Sequence, residues 1–179
     1  NFEHILLYAY NTGARNIVLV DQDDKWLPER MSYIRDLLEN NEVLMMNGYI
    51  VDSNLKSNGE TIFKQIRVRS GVIRNLVRPS YVGCCMAFRR ELLTFALPFP
   101  RFLPWHDWYI SLIAELLFTV YFDDRPSILY RRHDNNFSDT GKKSSNSIFK
   151  KINLRIRMIV ALFVFFLRMI FRIKITYHK

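Results

Sequence analysis

Three carboxylates follow a short apolar run near the start of the chain. Asp21, Asp23 and Asp24 come directly after residues 16–20 (NIVLV), an unbroken run rich in β-branched side chains. Such a run is typical of a strand buried on both faces of a sheet, and ligands of open α/β sheets collect beyond the carboxyl ends of strands. Clustered carboxylates repel each other unless a cation joins them, and hard oxygen ligands suit Mg²⁺ or Mn²⁺. The pattern therefore predicts a metal and anion site, with a solvated acidic turn before a helix as the alternative.

A second acid stands among rings. Asp107 is flanked by Trp105, His106 and Trp108. Sugar rings have apolar CH faces that pack on aromatic side chains, and partial desolvation raises the pKa of a carboxylate toward that of a useful base. The alternative is an acid that stabilises the first turn of a helix by its charge.

The elements that would position these acids alternate between helix and strand. Apolar residues at helical spacing predict a first helix that stops at residues 11–13, and Pro28 suits the first position of a second helix. Residues 42–51 predict the next strand. The order helix, strand, acidic turn, helix, strand is typical of a doubly wound α/β sheet. Further predicted elements are an edge strand or ordered loop at 61–69, a helix at 72–78, a helix starting near Asp107, and strands at 118–122 and 127–130.

The acidic segment DQDDKWLP resembles the metal-binding segment of family 2 glycosyltransferases of the GT-A fold, particularly bacterial rhamnosyltransferase-like enzymes, in which a strand ends in D-x-D-D followed by W-x-P. Three later segments, SYVGCCMAFRRELL, PWHDWY and YRRHDNN, are similar to segments of the same family in the same order. The resemblance spans roughly residues 1–138. It implies an α/β fold with a GT-A type (Rossmann-like) mixed sheet flanked by helices. The family's nucleotide-binding unit has no counterpart here, so we expect a glycosyltransferase whose fold is incomplete at the N-terminus, in a fragment or in a chain that lost that half.

The resemblance also implies roles for individual residues. Asp107 would be the general base that takes the proton from the acceptor hydroxyl, and Asp21 and Asp23 would hold Mg²⁺ or Mn²⁺. Gly83 and Cys84 would lie against the acceptor, where glycine lets the backbone approach a ligand closely. The predicted acceptor-binding residues also include Trp105, His106 and Trp108.

The last matching segment would bring positive charge beside the donor diphosphate. Arginine forks suit phosphate oxygens, so Arg131 or Arg132 is a candidate diphosphate ligand, together with Asp24. Side chains alternate along a strand, so only one of the two arginines should face the site. His133 is a candidate metal ligand, since a neutral imidazole can join carboxylates on manganese. The alternative is an ordinary polar loop after a strand.

These assignments imply an inverting, metal-dependent transfer from a nucleotide-diphosphate sugar to a saccharide or lipid-linked acceptor, in surface polysaccharide biosynthesis. Two other functions stay open. A metal-dependent nucleotidyl- or phosphotransferase could use the same acidic strand, although it gives no reason for the aromatic residues around Asp107. An inactive membrane-binding fragment would need only the C-terminal tail.

The charge is concentrated at the C-terminal end. Of 179 residues, those up to 141 include 16 basic and 17 acidic ones, whereas residues 142–179 include 10 basic and no acidic ones. A neutral body with a basic tail argues against a nucleic-acid-binding domain. We therefore predict a partial GT-A domain at 1–140, a linker at 141–147, and a basic amphipathic helix at 148–179.

The apolar part of that tail is short for a membrane span. Ten apolar residues, 158–167, precede Arg168, whereas a span needs about 20. Phenylalanine-rich helices flanked by lysine and arginine favour the interface of an anionic membrane. The sequence thus predicts a peripheral protein on the cytoplasmic face of the cell membrane, with a core or oligomerisation helix, or a tilted span, as alternatives.

The two cysteines are adjacent, at positions 84 and 85. Neighbouring cysteines rarely pair with each other, and the C-x-x-C spacing of zinc and redox sites is missing. Buried free thiols are the expectation.

Overall fold

The computed structural model describes residues 2–132 and 147–171. They form a curled mixed sheet flanked by helices, which confirms the predicted α/β class with a mixed sheet. The helices are α1 (Phe2–Asn11), α2 (Arg30–Asn40), α3 (Ile62–Ile66), α4 (Val72–Val77), α5 (Glu91–Ala96), α6 (His106–Leu117) and α7 (Ile148–Phe171). The strands are β1 (Asn16–Val18), β2 (Lys25–Trp26), β3 (Val43–Val51), β4 (Ser57–Thr61), β5 (Met86–Arg89) and β6 (Val120–Arg131).

The sheet runs in the order β1-β5-β3-β6-β2, and β4 pairs with β3 outside this path. Only β3 and β6 are parallel partners, and the other paired strands are antiparallel. The sheet is therefore mixed, as predicted, with one parallel pair at its centre.

The central strand β3 has apolar side chains packed on both faces. Val43 and Met45 belong to the larger core, and Leu44 and Met46 pack with α2. Successive side chains of a strand point to opposite faces, so this run binds the helices on the two sides of the sheet.

The strand before the acids differs from its prediction. β1 ends at Val18 and begins the strand order, with Ile17 buried and its neighbours half-buried. Leu19 is buried but Val20 is 41% exposed. Among the described residues the run is thus an edge strand, in which Ile17 and Leu19 are buried on one face while Asn16 and Val18 are only half-buried on the other.

Several other boundaries moved. The second helix begins at Arg30 instead of Pro28, after Glu29 in a left-handed conformation with φ 63°. Residues 61–69 contain the end of β4 and the helix α3, where Thr61 caps the helix by accepting from the Lys64 backbone N–H. The two strands predicted at 118–122 and 127–130 form one strand, β6, whose pairing with β3 shifts register at Asn47. The helix at 72–78 and the helix near Asp107 are confirmed as α4 and α6.

The long helix α7 joins the body. Its inner side chains, which are Leu154, Met158, Ala161, Leu162 and Phe165, are buried in the larger core. Within residues 2–132 and 147–171, no helix has the length and apolar character needed to cross a membrane.

Candidate metal and acceptor site

The acidic turn crosses the end of the sheet. β1 and β2 lie at opposite ends of the strand order, so the residues between them, 19–24, pass over the strands in between. β5 is antiparallel to β1, which places the start of β5 beside the end of β1. The turn Gly83–Cys85 immediately precedes β5. Chain direction alone thus brings Cys84 next to the acids.

The closest grouping of possible ligands joins Asp21, Asp24 and Cys84. One carboxylate oxygen of each acid and the Cys84 sulfur all lie within 4.8 Å of one another. Asp24 is also held by the backbone N–H of Arg131, which donates to its Oδ1 at 3.1 Å. Its other oxygen, Oδ2, is buried and has no hydrogen-bond partner within the described ranges. A buried carboxylate oxygen of this kind is a natural ligand for a cation.

The donor set fits a hard divalent cation. A hydrogen bond with Cys85 and then burial raise the pKa of the Cys84 thiol, which disfavours the thiolate form that metal ions bind. Two carboxylates remain as ligands, which suits Mg²⁺ or Mn²⁺ with water and substrate oxygens completing the shell. Both cysteines are buried and free, as expected from the sequence.

The structure favours Asp24 over Asp23 as the partner of Asp21. Asp23 is half-buried and lies outside the group of three possible ligands, although its charge raises the pKa of both Asp21 and Asp24. The family resemblance assigned Asp21 and Asp23 to the metal and Asp24 to the diphosphate. In the structure the chain instead brings the carboxylates of Asp21 and Asp24 together.

Asp107, from a later part of the sequence, lies against the turn that contains Gly83 and Cys84. It lies in the first turn of α6, and its Oδ1 accepts a hydrogen bond of 2.8 Å from the Trp108 backbone N–H. A methyl group built on Gly83 would lie 3.3 Å from the Asp107 Cβ and 3.4 Å from its Oδ2. Gly83 therefore makes room for the acid, whereas the close approach predicted for it was to an acceptor.

The pKa of Asp21 links the two acidic groups. Although Asp21 is exposed as a residue, partial desolvation of its carboxyl group raises its pKa, and the charges of Asp23 and Asp107 raise it further. Burial also raises the pKa of Asp24, whereas the Cys84 thiol and the Arg131 amide act in the opposite direction. Like charges that each raise a neighbour's pKa are held together at a cost, which a bound cation would remove.

The aromatic residues near Asp107 divide into two kinds. Trp105 is 42% exposed and remains accessible. Trp108 is buried in the core, where its indole N–H donates to the Asn75 carbonyl at 2.9 Å. The structure thus places Trp108 in the core rather than on the predicted acceptor surface, because its indole packs beside α4 at Asn75. His106 is half-buried, stacks on Phe2 with ring centroids 3.9 Å apart, and has its pKa lowered by burial.

The predicted diphosphate residues lie at the end of β6. Arg131 and Arg132 are both half-buried, and the Arg132 backbone N–H donates to the Val51 carbonyl at 2.8 Å. Arg131 reaches the acids through its backbone, at Asp24. His133, the candidate third metal ligand, lies outside the described residues.

A buried arginine that the sequence analysis missed, Arg30, holds the turn next to the acids by hydrogen bonds. Arg30 is 2% exposed, and its guanidinium donates to Ser127 Oγ at 2.5 Å and to the Cys84 carbonyl at 2.9 Å. Burial lowers the pKa of Arg30, while the neighbouring groups of Cys85, Cys84 and Asp24 oppose that shift. A cation in the first turn of a helix is unfavourable for the helix dipole. That conflict was the available signal that Arg30 serves the acids instead.

A scan against models of known protein families matches none of them, and a search of curated proteins finds no match.

Proposed function

We propose that this chain is the metal-binding and acceptor-side part of a GT-A type glycosyltransferase. The observation that carries the proposal is the convergence of Asp21 and Asp24 with Asp107, about 85 residues apart in sequence, beside an accessible tryptophan. A metal-phosphate site explains the first two acids. A sugar acceptor explains the third acid, Asp107, which lies against Gly83 and near Trp105 in the sequence. A nucleotidyltransferase gives no reason for an acid among aromatic rings.

The side chains divide the reaction between them. Asp21 and Asp24 would hold Mg²⁺ or Mn²⁺, which when bound supplies positive charge for the leaving diphosphate of a nucleotide-diphosphate sugar. Asp107 takes the proton from the acceptor hydroxyl as its oxygen attacks the anomeric carbon. Trp105 offers a ring for an acceptor sugar, and Arg131 or Arg132 adds charge beside the diphosphate. One displacement of this kind inverts the anomeric centre.

The proposed acceptor is a saccharide or a lipid-linked saccharide. The product would then be part of a surface polysaccharide assembled at the cytoplasmic face of the membrane. This assignment follows from the resemblance and from the open position of Trp105.

The test is metal-dependent nucleotide binding by the purified chain. Calorimetric titrations with Mn²⁺, and then with UDP and dTDP in the presence and absence of Mn²⁺, would be compared for the native chain, Asp21→Ala and Asp24→Asn. Asp36→Asn is the matched control, since Asp36 is an acid on α2 whose side chain is 63% exposed. We expect the nucleotides to bind only with Mn²⁺, and both site variants to weaken binding by about tenfold or more.

Two outcomes would overturn parts of this proposal. Native-like Mn²⁺ binding by both Asp21→Ala and Asp24→Asn would exclude the metal site. In a second outcome, the folded chain binds Mn²⁺ and these variants do not, but neither UDP nor dTDP binds in its presence. That result would exclude the donor site and hence sugar transfer by this chain.

A further inference from the structure

The helix α7 has two apolar faces, and only one of them packs on the protein. The inner face lies in the core, while the opposite face is exposed along the length of the helix. Phe149 is 86% exposed and Phe163 is 60% exposed. Together with them, the outer face contains Ile152, Ile156, Ile159 and Ile170, which recur at helical spacing.

Arginines along the edges of α7 fix its orientation. Arg155 donates to the Val77 carbonyl of α4, Arg157 to the Phe102 carbonyl, and Arg168 to the Pro98 carbonyl, at 2.7, 2.6 and 2.6 Å. These bonds tie the helix to the body at three places, so the outer face keeps its direction. No acidic residue occurs anywhere in α7.

The helix α4 continues this outer surface. Its Ile73 is 77% exposed and its Val77 is 62% exposed. Both also line a cavity of about 500 Å³ whose charged lining residues are all cationic: Arg67, Arg69, Arg74 and Arg78. Four exposed arginines and no carboxylate line this cavity, a composition that suits phosphate oxygens.

We infer that the outer surface of α4 and α7 docks on an anionic phospholipid bilayer. The apolar side chains of α7 enter the boundary between headgroups and acyl chains, and the arginine cavity binds lipid phosphates. The charge favours lipid over a second copy of the chain, because two copies joined through this surface would bring cationic cavities and helix edges together. This inference goes beyond the proposed sugar transfer and rests on different residues, so the two can fail separately.

The test measures binding of the purified chain to lipid vesicles by a flotation assay. Neutral phosphatidylcholine vesicles would be compared with vesicles in which about a quarter of the lipid is phosphatidylglycerol. The apolar variant is Phe149→Ser with Phe163→Ser, and its control is Tyr8→Ser, which removes a ring that is 72% exposed on α1. The charge variant is Arg74→Glu with Arg78→Glu.

The control for the charge variant reverses two exposed arginines elsewhere, Arg15→Glu with Arg35→Glu. Circular dichroism would verify that every variant is folded. We expect binding to the anionic vesicles that weakens with salt, that falls about tenfold or more in both test variants, and that the control variants retain.

Three results would overturn the inference. The first is a folded chain that binds neither kind of vesicle. The second is binding that both test variants retain. The third is a chain that binds no vesicles but forms a dimer in light scattering, when Phe149→Ser with Phe163→Ser makes that dimer dissociate. This result would assign the surface to a second copy of the chain.

Discussion

Replacing the buried arginine behind the acids should destabilise the protein more than any surface change. Arg30 donates to Ser127 Oγ and to the Cys84 carbonyl, and its charge faces Asp24. Arg30→Met keeps most of the side-chain volume but removes both hydrogen bonds and the positive charge. The two acceptors would then be buried with fewer partners.

The size of the effect follows from these contacts. Hydrogen bonds to charged groups contribute about 1.5–3 kcal/mol each, so two of them give roughly 3–6 kcal/mol. Burying a guanidinium is itself unfavourable, and methionine avoids that cost. We therefore expect Arg30→Met to lower the free energy of unfolding by about 2–4 kcal/mol, which for a domain of this size is a fall in Tm of roughly 4–16 °C.

Urea and thermal unfolding followed by circular dichroism would measure this difference. Arg35→Met is the control, because the Arg35 side chain is 68% exposed and the change there should stay within about 0.5 kcal/mol. A double-mutant cycle with Ser127→Ala should give a coupling of at least about 0.5 kcal/mol. A free energy for Arg30→Met within about 0.5 kcal/mol of the native value would refute the account of Arg30 as a support for the site.

Three further changes test the site and its surroundings. Asp21→Asn should stabilise the metal-free chain at pH 7 by at most about 1 kcal/mol, since solvent screens this exposed acid. Because the folded-state pKa of Asp21 is raised, its ionised form destabilises the folded state at pH 7, and this penalty disappears below about pH 4, where both states are protonated. Urea unfolding should therefore show the variant to be more stable at pH 7 but not below about pH 4. Gly83→Ala should cost about 1 kcal/mol by displacing Asp107, and its effect on unfolding should be non-additive with Asp107→Ala, whereas strict additivity would contradict the contact. Tyr109→Phe should be neutral or stabilising by up to about 1 kcal/mol, since its buried hydroxyl has no hydrogen-bond partner within the described residues. Tyr81→Phe should instead destabilise the protein by about 1–2 kcal/mol, because the Tyr81 hydroxyl donates to Glu115 of α6. Equal effects of the two variants in thermal unfolding would contradict this contrast.

Local patterns predicted much of the secondary structure. Local signals predicted α4 at 72–78 and the start of α6 near Asp107, and the run at 42–51 predicted β3, because these preferences act within a few residues. The errors lie where distant contacts decide. β2 is two residues long and exists because it pairs with Ile128 and Leu129 of β6, which no local pattern shows.

The candidate site shows the same division. Sequence alone determined which residue types are available for chemistry: three clustered acids, an acid among rings, and a basic tail rich in apolar residues. Only the tertiary structure decided that Asp24 rather than Asp23 joins Asp21, that Trp108 faces the core, and that Arg30 lies behind the acids. The physical reason is that chain direction in the sheet sets which strand ends meet, and side chains far apart in sequence acquire their charge environment and burial only when those ends come together.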